Sequence, residues 1–296
     1  MGFAVFVHRP DSIYDDRPEE QYQFPRQYLG RAQAAVGDWI VYYEPTKVKH
    51  TRAYFAVAKV ATILEDQSAP GMYLARIEPG TYLPFPVEVP FILTGGQPTE
   101  SGLLNDENKL SGRAQAAVRP LSAVDFNRIV TIGLEDPDLA LPRTGNLLTG
   151  FAEEQLPFEV ERRRAEQLIS RPIRDRVFRT MVLRAYDQRC GITGFKFING
   201  GGRAEVDAAH VRPVEANGPD IPQNGIALSG TAHWMFDRGL IGVADDLSIL
   251  VSRQINDRDG VEALINPTGK LIAPSAPHLR PHPRYLSWHR EHVFKL

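Results

Sequence analysis

Five residues in the last third of the chain carry side chains able to act on a substrate or an ion: Asp207, His210, Asn224, His233 and Asp237. His233 and Asp237 are four apart. On a helix that spacing sets both on one face, where an imidazole nitrogen and a carboxylate can reach one cation. Asp207 and His210 fall within EVDAAHVRP (205–213), which reads as a strand, and a bend at its end would let the two project near the same place. Asn224 opens NGIALSGTAHWMFDRGL (224–240), fourteen residues after His210 and nine before His233. Singly, each has an ordinary explanation. A lone histidine is most often a surface or core residue, Asn-Gly is a turn signal, and His233–Asp237 could be a helix-surface pair worth roughly a few tenths of a kcal/mol. The elements that must position them are a strand, a loop, a second strand and a helix. They are preceded by RDRVFRTMVLRAYDQRC (174–190), which predicts a helix: Val177, Met181 and Leu183–Ala185 point one way and the arginines mostly the other.

Taken jointly, these residues resemble the HNH (ββα-metal) endonuclease family. The likeness is to its cysteine-poor branch, with the pattern Glu/Asp-Ala-Ala-His-Ile/Val-x-Pro, then Asn-Gly-Leu/Ile-x-Leu, then His-x-x-Phe-Asp-x-Gly-Leu. The similarity spans about 175 to 255 and takes in Tyr186, Arg189, Cys190, Thr193 and Gly194. It implies His210 as the general base, since imidazole titrates near neutrality. It implies His233, aided by Asp237, as ligand to one divalent cation acting as a Lewis acid, and Asn224 as the residue that ties the loop down and orients His210. Many members carry Asp or His immediately before the base as a further ligand. Here that position is Ala209, and Asp207 is the carboxylate offered instead. Such a mixed set suits Mg²⁺, Mn²⁺ or Ni²⁺, with Zn²⁺ also within its range. Thr193 stands where a zinc-stapled relative has a second cysteine, so Cys190 is expected to be a small buried residue. His289 and His292 are three apart, but 280–296 is expected to form a short helix packing Leu286, Trp288 and Phe294 onto the nuclease core.

The chain has 296 residues, enough for about two domains. Hydrophobic residues make up 43% and charged residues 24%, which excludes wholesale disorder. No apolar run is long enough to span a bilayer. Nothing at the N-terminus reads as a signal peptide, and Phe6 spoils a myristoylation pattern. A single cysteine excludes an internal disulfide framework. These features predict a cytoplasmic protein with no membrane partner. The net charge of -2 hides a local excess: Glu161 to Arg212 holds twelve basic and six acidic residues, the footprint of a polyanion partner. Arg174, Arg176, Arg179, Arg184, Arg189 and Arg212 are the expected phosphate contacts on double-stranded DNA.

The fold class expected is α+β: a small barrel-like domain over 1–135, a linker and helical segment over 136–172, and the HNH domain over 173–296. Strands are expected at 37–45, 53–64 and 72–79, where β-branched and aromatic runs end at Pro or Gly. A helix is expected over 121–134 with Ser122 as its cap, and another over 158–171. GRAQAAV occurs at both 30–36 and 112–118 without continuing into a repeat. The aromatic first half, with YDD, YQFP and GDWIVYYEP, loosely resembles the PUA-like superfamily (SRA, EVE and YTH-type readers), whose members hold a flipped modified base in an aromatic cage. The resemblance implies a pocket among Trp39, Tyr43, Asp38, Tyr22 and Asp15, although the same aromatics could simply fill a core. The combined expectation is a modification-dependent, type IV-like endonuclease cutting DNA that bears 5-methyl- or 5-hydroxymethylcytosine, of the kind bacteria use in phage defence. The alternatives are a restriction enzyme reading an unmodified sequence and a DNA-binding reader with an inactive nuclease module. A homodimer is expected, because one HNH site cuts one strand.

Overall fold

The computed structural model describes residues 2–9, 11, 13–45, 52–105, 107, 109–134, 174–200 and 202–296. The helix expected over 158–171 and the segment 136–172 lie outside the described residues. The chain divides into two units, Met1–Ile173 and Arg174–Leu296.

The first unit is organised around β4 (Ala53–Glu65), a thirteen-residue strand long enough to serve different neighbours along its length. Its first half pairs with β3 (Trp39–Glu44) and β6 (Leu83–Pro90), and its second half with β5 (Met72–Ile77). With β1 (Phe3–Val7), β2 (Gln21–Pro25) and β7 (Val118–Leu121) the sheet runs β2-β5-β4-β3-β1-β7, with β6 joined to β4. β1 and β3 are parallel, with Val7 opposite Tyr43; the other ladders are antiparallel.

The expected barrel does not close. β2 and β7 end the strand order with no ladder between them. A side chain crosses from β2 instead: the Tyr22 hydroxyl donates to the Val7 carbonyl of β1 at 2.9 Å and lies 3.3 Å from that of Ala117, just before β7.

Side chains alternate across a strand, so the sheet buries two sets of aromatics. One face gathers Phe6, Tyr22, Phe24 and Tyr42. The other receives α2 (Ala123–Gly133), whose Phe126 ring stacks on Phe3 at 4.0 Å. Ser122 caps that helix as expected, accepting from the Asp125 amide at 3.0 Å. A buried ion pair ties β7 down: Arg119 grips the Glu100 carboxylate through Nε and an Nη, and the Tyr54 hydroxyl donates to the same group at 2.5 Å.

The second unit packs α3 (described over 174–185) against a two-stranded ribbon, β8 (Asp207–His210) and β9 (Gly225–Leu228), followed by α4 (Gly230–Asp237). Phe178 and Val182 of α3 can approach β9 because Gly225 has no side chain; a Cβ there would lie 2.3 Å from Val182. A second ribbon, β10 (Ile241–Val243) with β11 (Ile249–Val251), then α5 (Arg258–Leu264) and α6 (Pro283–His292), completes the core. α6 buries Leu286 and stacks His289 on Phe236 at 3.8 Å. Cys190 is buried, its sulfur accepting from the Thr193 amide at 3.4 Å. Among the described residues, no helix is long and apolar enough to cross a membrane.

Candidate active site

The β8–β9 ribbon places His210 opposite Gly225. The loop between them is held by Asn224, which is fully buried. Its Nδ2 donates to the carbonyls of Arg212 (2.9 Å) and Pro219 (3.0 Å), and its Oδ1 accepts from the Arg212 amide (2.9 Å). One side chain thus pins both arms of the loop. The loop passes so close to itself that a Cβ at Gly218 would sit 1.7 Å from the Arg212 carbonyl oxygen.

The pinned loop presents Asp220, whose carboxylate lies 2.9 Å from His210 Nε2. Phe178 stacks on the imidazole at 3.8 Å, nearly parallel. His210 is therefore clamped between a ring from α3 and a carboxylate from the loop. An ionised carboxylate only accepts hydrogen bonds, so Nε2 carries the proton and Nδ1 is the basic nitrogen. Asp220 was not singled out by its sequence context, because the loop holds two acids, Glu215 and Asp220, and spacing does not say which turns toward the histidine.

α4 begins directly after β9, its first amide, that of Gly230, capped by Glu205 at 2.9 Å. One turn later His233 Nε2 lies 3.5 Å from the Asp237 carboxylate, so the one-face spacing is realised. Burial raises the Asp237 carboxyl above the ordinary range, opposed by the nearby charges of His233, Arg238 and His210. His210 and the α4 pair therefore share one electrostatic neighbourhood.

Asp207 stands apart. It is exposed, accepts from Arg179 Nε at 2.8 Å, and lies three residues back on β8 from His210, on the opposite face. Among the described residues no three His, Cys, Asp or Glu side chains gather as a complete metal cage. The donor set that is present, the His233 imidazole and the Asp237 carboxylate, is of the kind that would hold a divalent ion.

Of the arginines expected to meet phosphate, Arg184 is exposed on α3, with Arg174, Arg176 and Arg179 on the same helix. Arg189 donates to the Gly194 carbonyl at 2.6 Å, and Arg212 to that of Ala216 at 2.7 Å while lying over the Trp288 ring. In the first unit the five residues expected to form a base pocket are not gathered. Tyr22 packs with Phe6 on one face of the sheet, while Tyr43 packs with Tyr54 and Phe91 on the other. Trp39 is buried, and Asp38, also buried, accepts from the Trp39 amide. Asp15 is exposed and accepts from Gln21 at 2.7 Å.

Residues 190–244 match the HNH endonuclease family. No curated protein sequence matches the chain. Among solved structures it is similar to the modification-dependent TagI restriction endonuclease, with 14% identity and a TM-score of 0.32, over 98% of this chain and 81% of that one. It is also similar to the type IV phosphorothioation-dependent restriction endonuclease ScoMcrA, with 12% identity and a TM-score of 0.20, over 97% of this chain and 57% of that one. These distant superpositions carry no part of the assignment, which rests on the family match and on the residues gathered around His210: residues 190–244 carry the HNH endonuclease signature.

Proposed function

We propose that this nuclease hydrolyses phosphodiester bonds in double-stranded DNA bearing modified cytosine, 5-methyl- or 5-hydroxymethylcytosine, and that it does so in the cytoplasm. The observation that carries the catalytic half is the clamp on His210 between Phe178 and Asp220. Held there with its proton on Nε2, the imidazole takes a proton from the attacking water at Nδ1. His233 and Asp237 would hold a divalent ion, Mg²⁺, Mn²⁺ or Ni²⁺, with Zn²⁺ also compatible with the donor set. When bound, such an ion supplies Lewis-acid stabilisation of the charge that builds on the phosphate and the leaving oxygen. Asn224 keeps the loop, and with it Asp220, in register with the base. The arginines of α3 bind neighbouring phosphates, and a homodimer supplies the second cut.

The recognition half rests on the division into two units. The HNH site offers a base, ion ligands and cations, all of which address a phosphodiester, and backbone contacts do not specify sequence. Target choice then falls to the first unit, acting as a reader of the PUA-like kind. The test is cleavage of matched plasmids differing only in cytosine modification, with Mg²⁺, Mn²⁺ and Ni²⁺ side by side. Cutting of the modified plasmid with the unmodified one spared is expected. Equal cutting of both overturns the proposal, discrete bands from unmodified plasmid select a conventional restriction enzyme, and binding without cutting under any ion selects an inactive reader.

A further inference from the structure

The heptapeptide GRAQAAV occurs twice, at 30–36 and 112–118, and the nuclease site uses neither copy. Both copies take a similar local path. Gly-Arg-Ala-Gln forms one helical turn, within α1 (Leu29–Gln33) in the first copy and as a 3₁₀ turn over Gly112–Gln115 in the second. Each then ends on a valine in β pairing: Val36 bridges Val60, and Val118 pairs with Phe6 of β1. The copies also touch. Arg31 Nη1 donates to the Val118 carbonyl at 3.2 Å, so the arginine of the first copy is held by the last residue of the second.

The arginines of the two copies, Arg31 and Arg113, line one pocket of about 260 Å³. Two carboxylates share that lining, and both are already answered by other groups. Glu100 is held by Arg119 and Tyr54, and Asp125 accepts from the Ser101 hydroxyl at 2.9 Å and from Arg128 at 3.2 Å. The arginines of the repeat are not answered in this way. Both are exposed; Arg31 uses one nitrogen on Val118, and Arg113 has no side-chain hydrogen bond or ion pair among the described residues. Two like charges facing one small volume repel each other, and an anion between them turns that repulsion into attraction.

We infer that the two copies of the heptapeptide build a phosphate site, in which Arg31 and Arg113 each grip a non-bridging oxygen of one phosphate group. A guanidinium presents its donors as a planar fork that suits phosphate oxygens. Leu103 and Pro120, in the same lining, offer apolar surface to the ester carbons. A backbone phosphate of DNA and a free phosphate ester present this same chemistry. The backbone source deepens the proposed function and rests on it. It would anchor the first unit on the DNA whatever base is read, because phosphate contacts position a protein without specifying sequence.

The test uses the full chain carrying His210→Ala to prevent cutting, as the parent for Arg31→Gln, Arg113→Gln and the two together. Arg26→Gln, at an exposed arginine of the same unit outside the pocket, controls for the loss of one surface charge. Affinity is measured for duplexes with modified and with unmodified cytosine. Each pocket variant is expected to weaken binding to both duplexes about fivefold, against less than about twofold for Arg26→Gln. The double variant is expected to lose about tenfold and not the product of the two, because both arginines act on one phosphate. Arg113→Gln removes no contact of the free protein, so its thermal midpoint should match the parent's; if Arg31→Gln fails to fold, Arg113→Gln alone carries the comparison with Arg26→Gln.

A second arm compares thermal midpoints in inorganic phosphate and in chloride at equal ionic strength. The double variant reports the general effect of phosphate on burial, and a further rise of about 2 °C in the parent reports binding. The stated losses on DNA support a backbone phosphate. Losses no larger than that of Arg26→Gln, together with the further rise, keep the site and assign it to a free phosphate ester. Absence of both overturns the site, and so does a double loss equal to the product, which makes the arginines two independent surface charges. A parent with no preference for modified cytosine overturns the base reading and leaves the phosphate site standing. A parent that binds no DNA overturns the proposed function, and the phosphate arm then decides the pocket by itself.

Discussion

At the residue scale the site turns on the partners of one imidazole. His210 donates through Nε2 to Asp220 and stacks on Phe178, so both its tautomer and its plane are set by neighbours. A carboxylate that fixes a histidine in this way also stabilises the imidazolium that forms when the base takes its proton. Replacing Asp220 with Asn keeps the shape but allows the amide to donate to Nε2, which would move the histidine's own proton to Nδ1. Asp220→Asn is therefore expected to slow single-turnover cleavage about a hundredfold or more, with DNA affinity unchanged and an altered pH–rate profile. Asp220→Glu should recover part of the rate, and His210→Ala should abolish cutting while leaving binding nearly intact. An Asp220→Asn enzyme that cuts at the parental rate would remove Asp220 from the site.

At the element scale the nuclease core depends on how α6 is seated. His289 is almost fully buried, its Nε2 is 3.0 Å from the Phe236 carbonyl at the end of α4, and its ring lies flat on that of Phe236. Burial pushes its pKa down from the ordinary 6.5 to about 4. Above pH 6.5 the imidazole is neutral whether the chain is folded or not. Between 6.5 and 4 the unfolded chain takes up a proton that the folded one refuses, so stability falls as pH drops through this window. A loss on the order of 2 kcal/mol between pH 6.5 and 5 is expected from urea denaturation of the full chain, and His289→Gln should flatten that dependence. The heptapeptide GRAQAAV makes the complementary point about elements. At 30–36 it supplies most of α1 (Leu29–Gln33), and at 112–118 the same residues form a 3₁₀ turn over Gly112–Gln115 and open β7. Identical local propensities are resolved by what each copy packs against.

At the scale of the whole molecule the charge is unevenly shared. A net of -2 coexists with an arginine-rich stretch leading into the HNH ribbon. Each phosphate that an arginine neutralises releases counterions, so the logarithm of DNA affinity should fall linearly with the logarithm of salt concentration. Arg184, exposed on α3, is the cleanest probe. Arg184→Ala is expected to weaken binding to modified and unmodified duplexes alike and to reduce the salt slope by about one. An unchanged slope, measured by titration across several salt concentrations, would place the DNA elsewhere.

Much of the second unit is legible in the sequence, and for a physical reason. A ββα site is assembled from neighbours in sequence, so the spacings His210–Asn224–His233 and His233–Asp237 already encode one ribbon and one helical turn. The cap at Ser122, the strands β3, β4 and β5 and the burial of Cys190 are equally local properties. What the sequence by itself could not decide depends on contacts between distant segments. Asp220 rather than Glu215 faces His210 because Asn224 pins the loop, and Asp207 turns to Arg179 instead of the α4 pair. In the first unit β4 divides its pairing between two sets of neighbours, and β2 meets β1 through the Tyr22 phenol and not through a ladder. The same bulged strand carries Phe55 over to Tyr42 and His8, a juxtaposition that no spacing announces, because strand alternation fixes which face a residue takes only until a bulge interrupts it.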